Sequence, residues 1–206
     1  MVDSDTFSFC GETVDFDTSI VPQPVVESVF THDLYTAERG SLEFILSGLN
    51  PDDVFFDVGA MYGLYTGFAG QKLTEGSVVA FEPYPRNLEA LERTVELNGL
   101  SDVDIRDVAL SDATGVEEFE SPSLEYHVQQ IAAMRARRSS STATDATAPP
   151  VPDSDESVTR FSVETRPGDR LVDAGEVPQP NVVKIDVEGA EPLVVDGLSE
   201  TLASDE

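Results

Sequence analysis

Val183-Lys-Ile-Asp-Val-Glu-Gly-Ala-Glu191 is an apolar, β-branched run that changes abruptly into acid, glycine and acid. This pattern is typical of a buried strand that ends at a loop. Two earlier segments, Val54-Phe-Phe-Asp-Val-Gly59 and Val78-Val-Ala-Phe-Glu82, have the same construction. Strands that each end at a carboxylate or a glycine turn predict a parallel sheet with an acidic edge.

Segments with helical spacing of apolar residues alternate with these strands. Their apolar positions are Leu42, Ile45, Leu46 and Leu49, then Leu64, Phe68 and Leu73, then Leu88, Leu91 and Val95, and last Val194, Leu198 and Leu202 on one closing helix. Further strands are predicted at Val103 to Val108, Val116 to Phe119 and Arg160 to Glu164, and a short helix at Gly168 to Asp173. The alternation predicts an α/β fold with helices packed on a parallel sheet.

The chain divides by composition into an arm and one domain. Residues 1–35 show little hydrophobic periodicity, so they are predicted to form an N-terminal arm or an edge strand. Residues 36–206 are predicted to form a single α/β domain. Residues 120–157 are rich in Ser, Thr, Ala and Pro and predict a disordered insertion. Arg135, Arg137 and Arg138 form a basic cluster inside it, interpreted as a solvated linker or, alternatively, as a lid that carries positive charge to an anionic substrate.

Acidic residues dominate the charge of the chain. Asp and Glu number 40 against 12 Lys and Arg, for a net charge of -28, and Lys72 and Lys184 are the only lysines. This surface repels nucleic acids and anionic membranes, so neither is expected as a partner. The acid excess with scarce lysine resembles the composition of proteins adapted to high salt, and we interpret the chain as halophilic.

We expect the stability of the protein to fall as salt is diluted from molar to millimolar concentration. Counterions screen the repulsion between the acidic side chains, and dilution removes that screening. Thermal unfolding followed by circular dichroism across a KCl series measures the effect. A midpoint that does not depend on salt would contradict the halophilic interpretation.

Cys10 is the only cysteine, which excludes an intrachain disulfide and a metal site built from several cysteines. The chain shows no leader pattern and no long apolar run, so a soluble, cytoplasmic protein is predicted. Asp186, Glu188 and Glu191 have the oxygen ligands that a divalent cation prefers. Helix capping and cofactor binding explain them with fewer assumptions, and no metal is predicted.

Asp57-Val-Gly-Ala-Met-Tyr-Gly63, the glycine turn, connects a predicted strand to a predicted helix. It departs from the dinucleotide pattern Gly-x-Gly-x-x-Gly at Ala60 and Met61. Glu82 is suited to accept hydrogen bonds from the ribose hydroxyls of either NAD or an adenosyl ligand. The surrounding carboxylates favour a cationic ligand over a diphosphate.

These motifs together resemble the FkbM-type S-adenosylmethionine-dependent methyltransferases. The segments that carry the resemblance are Phe55-Phe-Asp-Val-Gly-Ala-Met-Tyr-Gly-Leu-Tyr65, Phe81-Glu-Pro83 with Asn87 and Asn98, Ala109-Leu-Ser-Asp112 with Gly115, and Lys184-Ile-Asp-Val-Glu-Gly-Ala-Glu191. Their order and spacing match over roughly residues 38 to 202, apart from the insertion.

The resemblance implies a class I methyltransferase fold, a Rossmann-like parallel sheet, that binds S-adenosyl-L-methionine. Its implied cofactor residues are Asp57, Gly59, Ala60 and Gly63 at the methionine moiety, Glu82 at the ribose, and Asp107 with Val108 at the adenine. It also implies O-methylation of a sugar or another small hydroxyl-bearing acceptor.

Methyl transfer from a sulfonium is an in-line displacement that a positioned base assists. We predict Asp186 as the residue nearest the reacting centre, with Glu188 or Glu191 as the assisting carboxylate. A favourable interaction with the macrodipole of the helix that follows explains Glu188 equally well, and it is the favoured interpretation for Glu191. Lys184 lies within the strand and is interpreted as pairing with a neighbouring acid.

The resemblance also implies further strands after Leu202, which this sequence lacks. The strand at Val182 to Asp186 is therefore expected at a sheet edge, where a partner or a second copy of the chain can associate. Two other functions stay open: a non-catalytic remnant or interaction module, and an NAD-dependent oxidoreductase.

Overall fold

The computed structural model describes residues 3–21, 26–27, 29–30, 36–122, 158–187 and 189–204. In chain order, its elements are β1 (Ser4–Phe9), β2 (Glu12–Asp17), α1 (Thr36–Gly48), β3 (Val54–Val58), α2 (Leu64–Lys72), β4 (Ser77–Phe81), α3 (Pro85–Leu97), β5 (Val103–Arg106), β6 (Ala109–Leu110), β7 (Gly115–Pro122), β8 (Val158–Arg166), α4 (Gly168–Asp173), β9 (Val182–Ile185), α5 (Glu191–Gly197) and α6 (Ser199–Ala203). None of the helices in these ranges combines the length and apolarity needed to cross a bilayer.

The central sheet contains four parallel strands in the order β5-β4-β3-β9. Strands β3, β4 and β9 are the three apolar runs that the sequence predicted as strands. Strand β9 lies at an edge of this sheet in the described part of the chain. The parallel sheet with flanking helices confirms the predicted α/β fold class.

Both faces of the two inner strands, β3 and β4, are covered, which explains why these strands are nearly continuous apolar runs. Phe55 packs on one face in a cluster with residues of α1, α2 and α3, and Phe56 packs on the other with residues of α4 and α5. Both phenylalanines are fully buried. Consecutive strand residues therefore belong to different cores, as the alternation of side chains across a strand requires.

The first described segment forms an antiparallel hairpin of β1 and β2, where the sequence predicted an arm or an edge strand. Val14 and Phe16 of β2 are fully buried in the cluster that contains α2 and α3. The Asn98 side chain joins α3 to this hairpin, because it accepts a hydrogen bond from Asp15 N at 2.8 Å and donates one to Asp15 O at 2.8 Å. The hairpin is thus part of the core, although its short, mixed sequence gave little periodic signal.

A second sheet contains β6, β8 and β7, with β6 parallel to β8 and β7 antiparallel to it. Strand β7 ends at Pro122, so it extends into the segment 120–157 that the sequence predicted as the insertion. Residues 123–157, which include Arg135, Arg137 and Arg138, lie outside the described residues.

The predicted single closing helix is wrong, because two short helices, α5 and α6, meet at Leu198. Val194 and Leu198 are fully buried, but Leu202 is 47% exposed and does not continue their row. Asp169 explains the break, since its carboxylate accepts hydrogen bonds from Glu200 N at 3.0 Å and Thr201 N at 2.8 Å. This carboxylate caps a new helix from a distant position, which periodicity alone does not reveal.

Candidate active site

The four carboxylates that the sequence placed at strand ends lie at one edge of the central sheet, called here the carboxyl edge. Asp57 belongs to β3, and Glu82, Asp107 and Asp186 follow the ends of β4, β5 and β9. Their surroundings differ. Asp57 is fully buried and Glu82 is 5% exposed, whereas Asp107 and Asp186 are exposed. Two of the carboxylates therefore organise the protein interior, and two face solvent.

The glycine turn ties three strand ends together. Gly59 N and Ala60 N both donate to Phe81 O at the end of β4, at 3.0 and 3.1 Å. Gly59 has φ +77°, and a Cβ atom there would lie 2.1 Å from Asp186 O. Only a glycine permits this approach of the turn to the backbone that follows β9.

The helix that follows the turn begins with a second tight approach. Gly63, at the start of α2, has φ +87°, and a Cβ there would lie 2.9 Å from Leu91 Cδ1 on α3. The hydroxyl of Thr94 on α3 donates to Tyr62 O at 2.9 Å. Helix α3 therefore holds the far end of the glycine turn in place.

Glu82 connects the glycine turn to the loop after β4. Its Oε2 accepts a hydrogen bond from Met61 N at 2.8 Å, and its Oε1 accepts one from Tyr84 N at 2.9 Å. Burial raises the pKa of the Glu82 carboxyl and the nearby charge of Asp57 adds to the rise, while hydrogen bonds from Tyr84, Met61 and Asn87 oppose it. An ionised carboxylate has about four acceptor sites, so Glu82 keeps capacity for a ligand's hydroxyl groups.

The carboxylate of Asp57 is fully buried and is contacted by side chains of the protein interior. Thr66 Oγ1 donates to its Oδ2 at 2.7 Å, and Lys184 Nζ lies 3.0 Å from its Oδ1. The Oδ1 atom accepts no well-aligned hydrogen bond, so the ammonium balances its charge mainly as an ion pair. This contact confirms the interpretation that Lys184 pairs with a neighbouring acid.

Lys184 makes two further contacts that the sequence did not indicate. Its Nζ donates to Gly59 O at 2.8 Å and lies 4.9 Å from the centroid of the Tyr65 ring. Burial, followed by the nearby carboxylates, raises the pKa of the Tyr65 hydroxyl, so this side chain stays neutral. These contacts depend on the register of β3 and β9, which pairs Asp57 with Lys184. That register cannot be predicted until the order of the strands in the sheet is known.

The remaining predicted site residues divide into buried and exposed positions. Ala60 and Val108 are 4% and 7% exposed, and Val108 packs in the core that contains Phe81. Asp186 is fixed through its backbone, because its N donates to Val58 O at 3.0 Å. Glu188 lies outside the described residues.

Glu191 accepts a hydrogen bond from Gly189 N at 3.1 Å at the start of α5. This contact supports the helix-terminal interpretation of that glutamate. In the described ranges, no three His, Cys, Asp or Glu side chains are grouped in a way that could hold a metal ion.

Comparison with known proteins finds sequence relatives that bear the name methyltransferase. "Hexuronic acid methyltransferase AglP" of Haloferax volcanii is 30% identical over 179 residues, which cover 87% of this chain and 64% of AglP. "Methyltransferase 1" of Beauveria bassiana is 31% identical over 161 residues, which cover 73% of this chain and 60% of that protein. The chain thus spans less than two thirds of the length of either relative.

Among solved structures, M. jannaschii TYW2 in complex with AdoMet is 15% identical, with a TM-score of 0.34 over 80% of this chain and 85% of that one. The sequence profile of the Methyltransferase FkbM domain matches residues 57–206, from the glycine turn through β9 and the helices that follow it. The chain therefore belongs to the FkbM methyltransferase domain family.

Proposed function

We propose that this chain binds S-adenosylmethionine at the carboxyl edge and transfers its methyl group to a hydroxyl of a sugar. The observation that carries the proposal is Glu82, a buried carboxylate fixed by Met61 N and Tyr84 N between the glycine turn and the loop after β4. A fixed carboxylate at this place is suited to accept hydrogen bonds from the two hydroxyls of a ribose.

The glycine turn fits the methionine end of the same ligand. Gly59 and Gly63 let the turn pack closely against Asp186 O and Leu91 Cδ1, and these contacts hold its backbone in the conformation that we assign to ligand binding. We assign Asp57, Gly59, Ala60 and Gly63 to this end of the site. Asp57 acts there from the interior, since its carboxylate is fully buried.

Asp107 and Val108 are assigned to the adenine end, at the neighbouring strand. Asp107 follows β5, and Glu82 N donates to Arg106 O at 3.1 Å, which sets the two loops side by side. Asp107 is exposed and can accept a hydrogen bond, while Val108 packs in the buried cluster that contains Phe81. Together these assignments follow the order β5-β4-β3 along the carboxyl edge.

The charge of the site favours a sulfonium ligand over a dinucleotide. Lys184, the basic side chain beside the glycine turn, is engaged by Asp57. Asp107 and Asp186 leave exposed negative charge at the same edge. A diphosphate would be repelled there, whereas a cation is attracted.

S-adenosylmethionine supplies a methyl group on a positively charged sulfur, so a C–O bond forms as the C–S bond breaks. We assign Asp186 to accept the proton that the acceptor hydroxyl loses, with Glu188 as an assisting carboxylate. Asp186 suits this role because its backbone is fixed against Val58 and Gly59 while its side chain is exposed. Most of the rate would come from aligning the two reactants.

A sugar is proposed as the acceptor because the relative AglP bears the name hexuronic acid methyltransferase. The similarity covers 64% of that protein, so the acceptor and the activity of the whole enzyme are part of the proposal. A cytoplasmic location is proposed with it, on the lone cysteine of the chain.

Calorimetric titration in molar salt tests the proposed cofactor. We expect S-adenosylhomocysteine, the demethylated product, to bind and NAD not to bind. Binding of NAD alone would overturn the methyltransferase assignment in favour of an oxidoreductase. Binding of neither ligand would favour a non-catalytic module.

A further inference from the structure

Lys184 is a buried cation at the junction of β3, β9 and α2. Its side chain is 9% exposed, and that of its ion-pair partner Asp57 is fully buried. Its Nζ contacts three groups: Asp57 Oδ1, Gly59 O and the ring of Tyr65. The reaction described above uses none of these contacts directly.

Stability alone is a weak explanation for such a buried pair. Removing two charges from water opposes folding, and well-packed apolar residues of similar volume often replace a buried ion pair without loss of stability. An apolar pair could fill the space between β3 and β9, but it could not donate a hydrogen bond to Gly59 O. The contact with Gly59 is therefore the one that requires a donor.

The orientation of the Gly59 carbonyl is coupled to the rest of the glycine turn. The peptide that carries Gly59 O also carries Ala60 N, which donates to Phe81 O at 3.1 Å. The next amide, Met61 N, donates to Glu82. A rotation of the Gly59–Ala60 peptide would therefore disturb the anchor of the ribose-binding carboxylate.

We propose that Lys184 is a positioning residue that fixes the glycine turn for S-adenosylmethionine, with Asp57 serving to balance its charge. This role rests on the proposed function. It predicts that loss of the donor weakens ligand binding even where the stability of the protein is retained.

The test compares Asp57→Asn with the double variant Asp57→Asn, Lys184→Met. Both lack the buried carboxylate charge, and only the first keeps a donor to Gly59 O. Lys184→Met alone would leave Asp57 buried without its partner, and we expect its melting midpoint to fall by about 10 °C. The double variant removes both charges and is expected to recover most of that loss.

We expect the double variant to bind S-adenosylhomocysteine about ten-fold more weakly than Asp57→Asn, the loss of one hydrogen bond to a charged group. Tyr65→Phe is the control, because it keeps the ring beside Lys184 and removes the hydroxyl, which donates to Glu38 O at 3.4 Å and also interacts with the Glu38 side chain. Its affinity should stay within about two-fold of the wild type. Equal affinities of the two Asp57 variants, or an equal loss in Tyr65→Phe, would overturn the proposal.

Amide hydrogen exchange without ligand separates this proposal from the proposed function. We expect the amides of Ala60 and Met61 to exchange faster in the double variant than in Asp57→Asn, because the turn loses its donor. If wild-type protein does not bind S-adenosylhomocysteine, the proposed function fails, and the exchange rates still show whether Lys184 fixes the turn. Unchanged exchange would overturn the positioning role by itself.

Discussion

Replacing Gly59 with alanine is expected to lower the free energy of unfolding by about 3 kcal/mol and to abolish detectable binding of S-adenosylhomocysteine. The left-handed conformation at φ +77° disfavours any Cβ, and this Cβ would lie 2.1 Å from Asp186 O. That oxygen belongs to the backbone, so relief requires the glycine turn or the end of β9 to move. Denaturant unfolding and calorimetry in molar salt measure the two effects.

Gly175→Ala is the matched control for this change. Gly175 has φ +65°, and nothing lies within 4 Å of the Cβ position there. We expect it to lower the free energy of unfolding by about 1 kcal/mol, the conformational part alone, and to leave binding unchanged. Equal destabilisation by the two alanines would show that the approach to Asp186 is not a close constraint.

Replacing Glu82 with glutamine is expected to weaken binding of S-adenosylhomocysteine by about 100-fold, because the two charge-assisted hydrogen bonds that we propose to the ribose would be lost. In the wild type, Met61 N and Tyr84 N each donate to one oxygen of the Glu82 carboxylate. The glutamine amide has only one acceptor atom, so it can keep only one of these two contacts in its present form. Glu89→Gln, which changes an exposed residue of α3, is the control and should bind normally. Full affinity in Glu82→Gln would remove Glu82 from the site.

The same carboxylate predicts how binding depends on pH. Burial raises the pKa of Glu82 above its ordinary value of 4.5. In the proposed complex the ribose hydroxyls would donate to the ionised form, so affinity should fall as the pH drops through the raised pKa. The stability of the free protein should change in the opposite sense, since the folded state binds this proton more tightly than the unfolded chain.

The stabilising contribution from Glu82 is complete below pH 4.5 and is lost as the pH rises through the folded pKa. Calorimetric titrations and thermal melts from pH 4.5 upwards measure how affinity and stability depend on pH. In Glu82→Gln, the part of each pH dependence that comes from Glu82 should disappear. An affinity of the wild type that is constant across the window would contradict the role of an ionised Glu82.

The local pattern of the sequence was sufficient for the strands of the central sheet and for helices α1 to α4, but not for the division of the closing helix into α5 and α6. Strands β3, β4 and β9 are short apolar runs that end at polar residues, and α4 has the predicted bounds Gly168–Asp173. Parallel pairing then brings Glu82 and Asp186 to the same edge. These features depend on neighbours in the chain and on the alternation of strands with helices.

The features that the sequence did not predict, the packed hairpin and the break before α6, depend on contacts between residues that are distant in the chain. The hairpin of β1 and β2 joins the core through Val14 and Phe16 and through the hydrogen bonds between the Asn98 side chain and the Asp15 backbone. The break before α6 depends on the carboxylate of Asp169. Neither contact has a local signature, because each partner is a common polar or apolar residue in its own segment.

The parallel α/β sheet, the glycine turn and the acidic strand ends were all predictable from the sequence, because strand and turn propensities act between near neighbours. Only the packing of the sheet shows which carboxylates are buried in the interior and which face solvent. Asp57 is buried against Lys184 because β9 lies beside β3 in one particular register, while Asp186 stays exposed. Burial and ion pairing depend on strand order, and strand order is a property of the packed sheet.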